Sequence, residues 1–213
     1  MTTKELTRRQ QAIAPISAFT ALGELSRLKV ALEDGLKDGL TLNEIKEVLV
    51  QLYAYLGFPR ALNGLGTFMA LVNERKEHGI QDTEGAEASP MPAGKSRLEL
   101  GTEVQTYLIG VPAAGPVLDF APAIDVYLKD HLFGDIFGRD NLGYEDREIA
   151  TLGALAALEG LEPQLMAHFS ISLNIGLSEK KLRSVINTLE NSVSHRIAQR
   201  AAIALDKTLA NKK

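Results

Sequence analysis

The chain has 213 residues, 45% of them hydrophobic, 23% charged and 6% aromatic, with no cysteine, no tryptophan and a formal net charge of −4. A chain of this length and composition buries a core without staples, and the lack of cysteine excludes disulfides, thiolate metal sites and thiol catalysis. Lys and Arg are scattered among acids, which argues against nucleic acid as the main partner. The first residues lack an apolar leader, and the weakly polar stretch from Ile149 to Leu158 is too short to span a bilayer. The sequence therefore reads as a cytoplasmic protein without a membrane segment, unless a leader was removed.

Segments rich in Ala, Leu, Glu, Lys and Gln alternate with Gly or Pro breaks, and few stretches have the period of two that marks a strand, so the expected class is all-α. The first helices are expected over 5-22, 25-38, 42-56 and 59-78. Thr41 and Glu44 form a capping box, and Pro59 suits a first helical turn, where no N–H is needed. Gly39 closes the helix before Thr41. Residues 79-101 are a polar Gly/Pro/Ser/Glu stretch that reads as a linker or surface loop, and Gly101 to Pro122 carries no assignable element. Further helices are expected over 118-132, 145-159, 163-175, 179-192 and 194-210, with Pro163 starting one and Gly176 ending it.

Either side of the polar stretch the sequence repeats itself. Leu6 set against Leu142 pairs Ile13-Ala14 with Ile149-Ala150, Ala18 with Ala154 and Ala21-Leu22 with Ala157-Leu158. After one inserted residue near Pro163, Leu28 pairs with Leu165, Gly39-Leu40 with Gly176-Leu177, Val48 with Val185, Leu52 with Leu189 and Ala61 with Ala198. The aligned glycine breaks and the order of helices imply two copies of one helical unit. The division is 1-78 for the first copy, 79-117 for a linker and irregular region, and 118-213 for the second copy.

The run Gly39 to Asn63, above all Tyr55-Leu56-Gly57-Phe58-Pro59-Arg60-Ala61, resembles the back half of the carboxymuconolactone decarboxylase family pattern. Leu142 to Leu152, continuing through Gln164-Leu165-Met166-Ala167-His168 to Ser178, resembles the front half. That family shares its fold with alkylhydroperoxidase D-type proteins. The resemblance implies an all-α fold of two tandem helical repeats packed as a pseudo-dimer. Where peroxidase members carry Cys-x-x-Cys ahead of the histidine, this chain has Leu161 and Gln164, so a thiol peroxidase mechanism is excluded. Each copy keeps the half the other has lost. Ala12 and Ala31 hold the positions of Glu148 and His168, and Ser194-His195-Arg196-Ile197 stands for Gly57-Phe58-Pro59-Arg60.

His168 sits at the edge of an apolar helix face, where it is either a core histidine satisfied by a carbonyl or a proton-transfer group, the role the resemblance implies. Glu148 is either a first-turn acid favoured by the helix dipole or a buried proton donor that orients His168. Arg60 just inside a helix start opposes the dipole, which calls for an anionic partner: a structural acid or a substrate carboxylate. Tyr53 and Tyr55 cannot share a helix face, so one belongs to the core and the other to a pocket or interface. The substrate-binding set is Arg60, Tyr55, Phe58 and Gln164, the catalytic set His168 and Glu148. No metal-ligand spacing or phosphate loop is present, and no cofactor is expected.

By the resemblance, the protein is a cofactor-free lyase of aromatic catabolism acting on a small carboxylated lactone or related acid. Its one composite site would join the front half of the second copy to the back half of the first. An equivalent pocket lined by Ala12, Ala31 and His195 would be vestigial. A homotrimer is expected, since single-copy members form hexamers built from dimers. The alternative is a non-catalytic helical oligomer or ligand-binding protein of the same fold.

Overall fold

The computed structural model describes residues 5–212. It is all-helical, with no strand among the described residues. The first part comprises α1 (Arg8–Leu22), α2 (Leu25–Lys37) and the long α3 (Leu42–Glu77), which Gly57 breaks into two arms by adopting φ 74° and ψ 162°. That left-handed φ is open to glycine at little cost, and Pro59 then opens the second arm. The last part comprises α7 (Tyr144–Ala157), α8 (Glu162–Asn174), α9 (Glu179–Ser192) and α10 (His195–Asn211).

Helix ends form where the side chains dictate. The Thr41 hydroxyl accepts from Glu44 N while the Glu44 carboxylate accepts from Thr41 N, as the capping box requires. Gly39 and Gly176 take φ of 98° and 101°. Each is followed by the same closing bond, Leu40 N to Gly35 O and Leu177 N to Ser172 O, both 2.9 Å.

The core is built on α1 and α7, which cross in direct contact. Every residue of α7 from Asp146 to Ala157 is buried, as is α1 from Ile13 to Ala21. A Cβ on Gly153 would lie 2.6 Å from Ala14 O, so the absent side chain sets how closely the two helices meet. Around this pair the packing is reciprocal. The first arm of α3 reaches across to α7, while α9 reaches across to α1.

Between these parts the chain departs from the expected linker and irregular region 79-117. Residues 79–96 carry no helix, but α4 (Arg97–Ile109) follows, capped by Ser96 and Glu99. The helix expected over 118-132 is instead two short helices, α5 (Pro116–Phe120) and α6 (Pro122–Tyr127), leading into a π-helical segment over Leu128–Phe137. α4 lies against that segment at a glycine contact. A Cβ on Gly101 would sit 1.7 Å from Lys129 O, and one on Gly134 would sit 2.5 Å from Arg97 O. The contact closes a small second core of Val104, Leu108, Leu132, Phe133, Ile136 and Phe137. No helix among the described residues is long and apolar enough to cross a membrane.

Candidate active site

Glu148 lies in the second turn of α7, within its buried run, its carboxylate 0% exposed. One of its oxygens, Oε2, lies 2.8 Å from Nδ1 of His168 on α8. Against a carboxylate acceptor Nδ1 is the donor, which leaves Nε2 outside this bond. The His168 side chain is 12% exposed, so the ring is held from inside and reaches solvent at its edge. Glu148 thus has the His168 imidazole as a hydrogen-bond partner.

Tyr55, near the end of the first arm of α3, sets its ring edge-on against His168, with centroids 5.6 Å apart and planes at 76°. Its hydroxyl is buried near Thr151 without a hydrogen bond of good geometry, and Glu148 Oε1 is likewise buried without a partner. Burial pushes the Tyr55 phenol well above its ordinary value and the nearby Glu148 charge adds to the shift, while Thr151 and Arg147 oppose it without reversing it. The phenol therefore stays protonated, a donor without a well-formed bond.

A polar network supports these three side chains. Gln51, one turn before Tyr55, donates from Nε2 to Arg147 O and to Thr151 Oγ1, both at 2.9 Å. The wholly buried Arg147 guanidinium donates to Gln51 Oε1 at 3.0 Å, Glu47 Oε1 at 2.8 Å, Arg139 O at 3.0 Å and Leu142 O at 3.1 Å. Glu47 also accepts from Arg139 Nε. Burial pushes the Glu47 carboxyl up, but the hydrogen bonds and charges of Arg147 and Arg139 together outweigh it and hold the group below its ordinary value. Sequence reasoning missed this layer, although the spacing carried a signal. Gln51 and Tyr55 are four apart on one helix, as are Arg147 and Thr151 on another, so each pair shares a face.

The structure joins Tyr55 to His168 and Glu148 but sends the other expected binding residues elsewhere. Phe58, 63% exposed, stacks on Tyr53 at 4.6 Å. Tyr53 in turn faces His131, whose Nδ1 is 2.7 Å from Asp135 Oδ2. Tyr53 and Tyr55 thus do diverge. Arg60 Nη1 donates to Ala21 O at the C-terminal end of α1. The cation that looked misplaced at the start of its own arm serves the negative end of another helix, and its partner is a carbonyl rather than a carboxylate. Gln164 is exposed, one turn before His168 on the same stripe of α8. Among the described residues no group of three or more His, Asp or Glu could hold a metal ion.

A scan against protein-family models and a search of curated proteins each found no match to this chain.

Proposed function

We propose that the chain is a carboxymuconolactone decarboxylase-like lyase, built from two tandem helical repeats packed as a pseudo-dimer and working without a cofactor. Three pairs of features support the repeat. Helices of 15 and 13 residues in the first part correspond in order to helices of 14 and 13 in the last. The ion pair of Arg9 with Glu44 recurs at the paired positions as Glu145 with Lys181, with its charges exchanged. An arginine of the second α3 arm, Arg60, donates to Ala21 O at the end of α1, and one of α10, Arg200, donates to Ala156 O at the end of α7 at 3.0 Å, three residues past the position paired with Arg60.

The observation that carries the site is the His168–Glu148 pair, with Nε2 outside their bond and two unpaired buried polar atoms beside it. In this reading the bond to the departing carboxylate breaks, its electron pair enters a conjugated dienolate, and CO2 leaves. His168 takes a proton from solvent at Nε2, Glu148 stabilises the imidazolium so formed, and that proton passes to carbon, returning the ring to its neutral form. Tyr55 donates its unspent hydroxyl hydrogen to a substrate oxygen, and Gln164 lies exposed one turn before His168. Arg60 is already committed to α1, so the clamp on a retained carboxylate is not part of what supports the reading. The test is incubation with γ-carboxymuconolactone while its ultraviolet absorbance is followed. No turnover at high enzyme concentration sinks the named substrate.

A second reading, a non-catalytic helical oligomer that binds a ligand, draws on the outer stripe of the second α3 arm. Phe58, Leu62 and Met69 lie there, each at least 60% exposed, and Phe120 on α5 is 91% exposed. Apolar side chains so placed call for a covering surface. Both readings include a homotrimer, and light scattering is expected to give about three times the 23.1 kDa chain mass. A monomer mass at micromolar concentration contradicts it.

A further inference from the structure

A hollow of about 450 Å³ opens between α1, α2 and the end of α9, well within the range of small-molecule sites. The sequence repeat explains why there is room. Ala12, Ala31, Thr188 and Ser192 line it, at the positions paired with Glu148, His168, Gln51 and Tyr55. Where α7, α8 and α3 fill their site with a carboxylate, an imidazole and a phenol, the equivalent place between α1, α2 and α9 is left open. His195, expected to line this pocket, instead lies at the surface 2.6 Å from Glu190.

We propose that this hollow binds a small organic cation, an ammonium group carried on an aryl or alkyl body. The body is matched by an apolar floor in which Pro15 and Phe19 are buried. The charge is matched at the rim by Asp34 and Asp38, one turn apart at the C-terminal end of α2, where the helix carbonyls add partial negative charge. These acids are little compensated. The cation nearest Asp34 is Lys37 at 3.9 Å, itself closer to Glu33 at 2.9 Å, and Asp38 has no ion pair among the described residues. The one cation in the lining, Arg27, is paired with an acid and two carbonyls. It donates to Glu24 at 2.9 Å and to Ser192 O and Val193 O at 3.0 Å, with its guanidinium 4.3 Å above the Phe19 ring. An anion would meet two acids and a guanidinium already bonded through both terminal nitrogens. An ammonium ion meets charge it can neutralise.

The inference does not use the chemistry of His168, so the lactone assay does not bear on it. Calorimetric titration of the full chain at neutral pH with 2-phenylethylammonium, 2-phenylethanol and 3-phenylpropionate separates charge from shape. The ammonium ion is expected to saturate at one per chain and to bind at least about tenfold more tightly than the alcohol, with the carboxylate weakest. The rim double variant Asp34→Asn with Asp38→Asn should bring the ammonium ion down to the alcohol's affinity. Ala31→Phe, which fills the hollow, should abolish binding of both, and His168→Ala should leave it unchanged. The proposal is overturned if no saturable binding occurs, if ammonium and alcohol bind equally to the unmodified chain, if the Asn variant keeps the preference, if Ala31→Phe still binds, or if His168→Ala loses binding.

Discussion

Removing the His168 imidazole and removing the Glu148 carboxylate test different things. His168→Ala deletes the proton donor, and kcat on a turned-over substrate is expected to fall by ~10² to 10⁴. Glu148→Gln keeps the shape but offers an amide to Nδ1, so the ring loses its charge partner, and kcat should fall with little change in KM. A Gln variant as fast as the parent would reduce Glu148 to a packing role. Tyr55→Phe keeps the ring against His168 and removes a buried hydroxyl that has no well-formed hydrogen bond. An unpaired buried donor costs ~1 to 3 kcal/mol, so urea unfolding should show the Phe variant as stable as the parent or about 1 kcal/mol more stable. A loss of that size would mean the hydroxyl is bonded after all. The sequence singled out Glu148, His168 and Tyr55, which the structure brings together. The destinations of Phe58 and Arg60 were not legible, because the left-handed turn at Gly57 redirects everything beyond it.

Helix ends were legible wherever a side chain or glycine marks them, as at Thr41, Gly39 and Gly176, and the break at Gly57 separates the arms expected over 42-56 and 59-78. α4 was hidden although Ser96 and Glu99 form a capping box, because Gly101 reads as a breaker when it is a contact residue. That difference has a sign. In a solvated helix Gly→Ala gains roughly 0.5 to 1 kcal/mol from reduced backbone entropy. At position 101 the new Cβ would meet Lys129 O at 1.7 Å and Gly134 N at 2.7 Å, both backbone atoms that cannot swing aside. Gly101→Ala should therefore destabilise by ~1 to 3 kcal/mol. Hydrogen exchange should quicken in residues 97–109 and 128–137, leaving α1 and α7 protected as before. A more stable variant, or unchanged exchange, would show that α4 does not approach the π-helical segment this closely. The π-helical geometry itself had no sequence signal beyond the glycines at 134 and 138.

Across the molecule the buried ion pair of Glu47 with Arg147 does what no single helix can, tying the first part of the chain to the last with both side chains at most 4% exposed. Glu47→Gln would leave the Arg147 guanidinium buried without its charge partner, an expected loss of about 3 to 5 kcal/mol at neutral pH. The pH dependence carries its own sign. Burial raises the Glu47 pKa, but Arg147 and Arg139 lower it further, so the folded value lies below the ordinary 4.5. Protons then bind the unfolded chain more readily than the folded one. The stability contributed by the charge is complete above the unfolded value and drains away as pH falls through the folded one. The Gln variant has no such group to titrate. The gap in unfolding free energy between parent and variant should thus be widest near neutrality and narrow steadily below about pH 4.5. A gap that stays constant down to pH 3 would mean that the variant's deficit comes from lost hydrogen-bond geometry, and that the charge on Glu47 contributes nothing to holding the two parts together.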